Sequence, residues 1–120
     1  MPKVLVAEDE PAVAHVYAIL LSQWNCETAV EHTSEAAIRR GAAFRPDIAL
    51  LGVVMQDMGG VEAGIRLLEI CPETKIVLVT EKVPTETLER LEKQGYRFRT
   101  LSAPFTSEEL HGVAFGQSRA

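Results

Sequence analysis

Five short apolar runs, set apart by segments of helical period, constrain this 120-residue chain more than any other feature. The runs cover residues 3–7, 27–30, 47–54, 75–80 and 98–101. Several are apolar at successive positions, as strands buried on both faces of a parallel sheet are. The segments between them, 11–24, 34–44, 61–71, 85–93 and 106–117, carry helical spacing. Regular alternation of this kind predicts an α/β fold with a parallel sheet. At this size, with one domain over residues 1–120, the architecture expected is a flavodoxin-like (βα)5 doubly wound sheet of strand order 2-1-3-4-5.

Local signals set the boundaries. Pro11 suits the first turn of a helix whose Val13, Val16, Tyr17, Leu20, Leu21 and Trp24 recur at core-facing spacing. Thr33 or Ser34 is the cap expected for the second helix, and Arg45-Pro46 ends it because a residue before proline avoids the helical region. The third helix is expected to turn Ile65 and Leu68 inward, with Leu67 beside them, and to stop at Pro72. Gly95 supplies a C-terminal cap for the fourth, and Thr106 with Glu109 has capping-box spacing for the fifth. The final 116–120 reads as a fraying tail or a linker into a longer parent protein.

Charge and apolar patterning exclude several function classes. Twelve Lys and Arg face 17 Asp and Glu, for a formal net charge of −5. No basic run exceeds Arg39-Arg40, so phosphate neutralisation on nucleic acid or an anionic membrane is disfavoured. The longest apolar stretches fall well short of the roughly 20 residues a membrane span needs. The first residues show no charged-then-apolar signal pattern, which makes the cytoplasm the expected location. Cys26 and Cys71 read as buried thiols. His15, His32 and His111 do not cluster with acids or cysteines at metal spacing.

In a doubly wound sheet the site forms beyond the carboxyl ends of the strands, where the strand order reverses. That directs attention to residues 7–11, 52–60, 80–84 and 101–105. Glu8, Asp9 and Glu10 are consecutive carboxylates closing the first strand. Their repulsion fits a hard cation or phosphate chemistry, and it equally fits a polar loop whose acids open the first helix.

The run Val4-Leu5-Val6-Ala7-Glu8-Asp9-Glu10-Pro11 resembles the opening of a two-component response-regulator receiver domain. The similarity continues through 46–51, the loop 55–60, the strand 76–80 and Pro104-Phe105, and so spans essentially the whole chain. The resemblance implies acceptance of a phosphoryl group from a histidine kinase onto an aspartate closing the third strand, with Mg²⁺ on the acidic cluster. This sequence has Gly52 at the acceptor position and Ala103 where the family places a lysine. Thr100 stands at the usual aromatic switch position, Gln56 where a proline is usual and Gly59 where an acid is usual. Glu8, Asp9 and Thr80 remain.

A glycine offers neither an acyl-phosphate carboxylate nor a metal ligand. The expectation is therefore a degenerate receiver: no enzyme, no required cofactor, and at most weak Mg²⁺ on Glu8 and Asp9. A substitute acceptor such as Asp57, or Glu8, Asp9 or Thr80 in the same pocket, is the less favoured outcome, and Asp57 otherwise reads as a solvated loop acid. The charged fourth helix reads as a solvated face. The resemblance makes it, with Tyr96, Arg97, Arg99 and Thr100, an interaction surface for protein partners: a sensor kinase, an output domain or a second copy. The alternative is a sensor for Mg²⁺ or a small anionic ligand in the retained acidic pocket. A flavin or nucleotide enzyme is disfavoured, because 8–11 lacks a phosphate-cradling glycine or Ser/Thr run.

Overall fold

The computed structural model describes residues 1–80 and 85–116. Strands β1 (Lys3–Ala7), β2 (Glu27–Glu31), β3 (Ile48–Gly52), β4 (Lys75–Thr80) and β5 (Arg99–Ser102) alternate with helices α1 (Pro11–Gln23), α2 (Ser34–Phe44), α3 (Gly60–Ile70), α4 (Thr85–Lys93) and α5 (Ser107–Phe115). All pairings are parallel and the order is β2-β1-β3-β4-β5, the doubly wound flavodoxin-like topology. The order reverses between β1 and β3.

The strand period of two divides the core into two layers. Val4, Val6, Ile48, Leu50, Val77 and Leu101 point to one face and pack with Tyr17, Leu21, Leu110 and Ala114 of α1 and α5. Leu5, Ala49, Leu51, Ile76 and Leu78 point to the other and meet Ala37, Ala63 and Leu67 of α2 and α3. β3 is buried at every position, which is why its sequence is unbroken by polar residues. The central strands are the part of this fold that hydrophobic burial specifies most strongly.

The caps form as their chemistry dictates. Thr33 Oγ1 accepts from Ala36 N at 3.1 Å. Thr106 and Glu109 exchange side-chain-to-backbone bonds of 3.0 Å each. Arg45 ends α2 in a left-handed conformation at φ 50°, and Gly95, at φ 93°, ends α4 while Tyr96 N donates to Leu91 O. Cys26 and Cys71 are free and buried.

Several expectations need correction. Trp24 caps α1 from outside it, and Val13 and Val16 face solvent, Val16 at 53% exposure. An α1 that is apolar nearly all round gives periodicity no basis for choosing its buried face. In α3 it is Leu67 that is fully buried, with Gly60, Ala63 and Gly64, while Ile65 and Leu68 are half-buried. Small residues face the sheet there because the helix lies close: a Cβ on Gly60 would stand 2.2 Å from Gly52 O. β3 stops at Gly52, and β5 starts one residue late because Phe98 packs instead against Gly64 and α3. Residues 81–84 and 117–120, including part of the expected fourth-strand loop and the end of the fifth helix, lie outside the described residues.

Candidate functional site

At the strand-order reversal the end of β4 and the loops after β1, β3 and β5 line a cleft of about 370 Å³. Glu8, Asp9, Gly52, Thr80 and Ala103 all line it, so the residues singled out from the sequence converge on one site. Ala103 is fixed there by its N–H donating to Thr80 O at 2.8 Å. A hollow of about 410 Å³ lies at the opposite end of the sheet, and two of its polar side chains serve the scaffold. There Asp47 accepts from Lys3 N and Thr74 Oγ1 donates to Pro46 O.

Glu8 is locked by backbone on both sides. Its N–H donates to Glu31 O at 3.1 Å, and its carbonyl meets His32 Nδ1 at 3.0 Å. Its carboxylate accepts from Glu10 N through Oε2 at 2.9 Å, leaving Oε1 toward Gly52. Burial pushes the Glu8 carboxyl above the usual range; the Glu10 amide opposes this and the neighbouring Asp9 adds to it. Neither acid has an ion-pair partner among the described residues.

Gly52 leaves the end of β3 without a side chain, and Met55 fills the gap. A Cβ on Gly52 would meet Met55 Sδ at 3.3 Å, Ala7 O at 3.6 Å and Glu8 Oε1 at 3.8 Å. The thioether therefore crowds the point from which a side chain at 52 would leave the strand. Among the described residues no group of three or more His, Cys, Asp and Glu stands together as metal ligands. Two adjacent carboxylates, one with an oxygen already bonded to an amide, and a soft thioether do not match the near-octahedral oxygen shell of Mg²⁺.

The family model described as the response regulator receiver domain matches residues 4–114. The chain belongs to that family. The response regulator protein VraR of Staphylococcus aureus is 27% identical over 97% of this receiver, which spans 58% of the VraR sequence. The signal receiver domain of a modulated diguanylate cyclase from Desulfovibrio desulfuricans is 30% identical, with a TM-score of 0.80 over 94% of this chain and 90% of that one. A receiver domain protein from Methanospirillum hungatei superposes at a TM-score of 0.83 over 92% and 87%, with 18% identity, a likeness of fold alone. Among the described residues no helix is long and apolar enough to cross a membrane.

One sequence expectation for the receiver is extended and one changes. Asp57 is exposed, as expected of a solvated loop acid, and does not line the cleft, but it is not free. Its carboxylate turns to the start of α2, accepting from Ser34 N at 3.0 Å and Glu35 N at 2.9 Å, while Ser34 Oγ donates to Met58 O. The amides of Glu35, Met58 and Ser34 hold its carboxyl at about 2. Arg99 does not share a face with Thr100: its guanidinium donates to Val113 O at 2.9 Å and Gly116 O at 3.1 Å, closing the C-terminal end of α5. Lys75 joins it there, donating to Ala114 O at 3.2 Å. Tyr96, Arg97 and Thr100 remain beside Leu88, Leu91 and Glu92 of α4 around a hollow of about 310 Å³.

Sequence reasoning missed Met55 and the second role of Tyr17, which is both a core residue and part of the cleft wall. Tyr17 carried a signal, since its position on α1 lies two turns from the acidic loop. Met55 carried none.

Proposed function

We propose that this receiver signals through protein contacts and takes no phosphoryl group at position 52. The observation that carries the reading is the end of β3: Gly52 presents no nucleophilic oxygen, and Met55 Sδ lies 3.3 Å from where its Cβ would be. Ala103 supports it, because no cation from that position faces the acids. Asp57 is a poor substitute acceptor, since both its oxygens serve the α2 amides and point away from the cleft. Productive transfer needs an oxygen held at the attacking geometry, which this carboxylate cannot reach without releasing α2.

The module fits a two-component or phosphorelay-type pathway, with a sensor kinase, an output domain or a second copy as its partner. The α4–β5 side, with Tyr96, Arg97 and Thr100, is the surface we assign to that contact.

Intact-mass measurement after incubation with Mg²⁺ and a small acyl-phosphate donor tests the reading. The native chain is expected to gain nothing, and the Gly52→Asp, Ala103→Lys double variant to gain one phosphoryl group. The variant is sterically admissible, because the nearest obstacle to a Cβ at 52 is the flexible end of Met55. Modification of the native chain overturns the reading.

A further inference from the structure

Tyr17 is only 8% exposed, yet its hydroxyl has no hydrogen-bond partner among the described residues and is not sealed in the interior. It therefore opens on the cleft that Tyr17 lines with Glu8 and Asp9. A buried phenol ordinarily finds a partner, and adjacent half-buried carboxylates ordinarily find a cation. Among the described residues neither the phenol nor the carboxylates have one, and they share a wall. Apart from Thr80, the remaining wall is apolar, with Val13, Val53, Val79 and Ala103 on it.

We propose that this cleft binds an organic ammonium group on a short apolar stem. An ammonium carries three donors, and the cleft supplies three acceptor groups: the Glu8 and Asp9 carboxylates and the Tyr17 hydroxyl. Its hydrocarbon stem would lie against the valines and Ala103, surface that repels a hydrated Mg²⁺. Burial chiefly, and negative charge nearby to a lesser degree, push both Glu8 and Tyr17 upward, and a bound cation would offset the second of these. The proposal rests on the reading that position 52 does no phosphoryl chemistry. The ammonium has two available sources, a free small amine or a lysine side chain of a partner protein.

Nuclear magnetic resonance titration of the full chain with n-pentylammonium tests this, with n-pentanol and MgCl₂ as comparisons. Expected are saturable shifts of the Gly52 and Ala103 amides with the amine and none with the alcohol. Glu8→Gln and Asp9→Asn should each weaken binding about tenfold, the worth of one charge-assisted hydrogen bond, and Tyr17→Phe by a smaller factor. Circular dichroism of each variant checks that it is folded. Tighter binding of an acetylated, amidated Leu-Lys-Leu peptide than of n-pentylammonium assigns the cation to a partner's lysine; equal or weaker binding assigns it to a free amine. Equal shifts with n-pentanol, no shifts with either probe, or displacement of the amine by equimolar MgCl₂ overturns the proposal. Phosphoryl gain by the native chain is read separately by mass, so the functional reading and the ligand assignment fail independently.

Discussion

Glu8 and Asp57 stand on neighbouring loops at the same end of the sheet, and their surroundings push the two carboxyl groups in opposite directions. Asp57 receives two helix-terminal amides and is held at about 2. Glu8 receives one amide, loses hydration and faces Asp9. The first acid is consumed by the scaffold, because the positive end of α2 is its counter-charge. The second is left strained by the fold, which marks it as belonging to a site. Counting acids in a sequence cannot separate the two; the direction in which each carboxyl is pushed does.

The largest effect expected concerns the backbone on which both loops depend. Gly60→Ala would place a Cβ 2.2 Å from Gly52 O and 2.9 Å from its carbon, backbone atoms that cannot swing aside. We expect a loss of about 3 kcal/mol, the upper range for overpacking, in urea unfolding. Gly52→Ala meets only Met55 Sδ at 3.3 Å and should cost less than about 1 kcal/mol. Equal costs would show that α3 is not held against the end of β3 as described.

Asp57→Asn comes next and bears directly on the contrast between the acids. A folded-state pKa of about 2 against an ordinary 3.8 means that the carboxylate stabilises the fold above pH 3.8. That contribution disappears as pH falls through about 2. The variant should melt below the native chain at pH 7, and the two melting curves should converge as the solution is acidified across that window. A gap that persists at low pH would remove the amide-capping account.

Much of this arrangement was legible beforehand, for physical reasons. Strands buried on both faces leave unbroken apolar runs, and caps rely on side chains only a few residues away, so Thr33, Gly95 and the Thr106–Glu109 pair could be read locally. The convergence of Glu8, Gly52, Thr80 and Ala103 follows from topology once the strand order is known. Asp57 was not legible because its partners are backbone amides of α2, which no residue type announces. The phase of α3 was hidden because its buried face is built from Gly60, Ala63 and Gly64, leaving Leu67 and Leu68 to compete for one inward position. Arg99 and Thr100 were grouped as neighbours in sequence, although neighbours on a strand point to opposite faces.

The smallest effect is the most diagnostic. Burial and Asp9 raise the Glu8 carboxyl, so the fold prefers Glu8 protonated; that preference is fully present below its ordinary 4.5 and is lost as pH rises through the raised value. Glu8→Gln should therefore leave the protein as stable as the native chain at pH 4 and slightly more stable at pH 7, the opposite sign to Asp57→Asn. Ala103→Lys places an ammonium in the same cleft and should shift the native chain in the same direction, by relieving the repulsion rather than deleting it. Thermal melts of both variants at pH 4 and pH 7 check this. If Glu8→Gln destabilises at pH 7, the Glu10 amide outweighs burial and Asp9, and Glu8 becomes a second scaffold acid like Asp57. If both variants stabilise at pH 7 but not at pH 4, the acid pair is held in the native chain at a standing electrostatic cost.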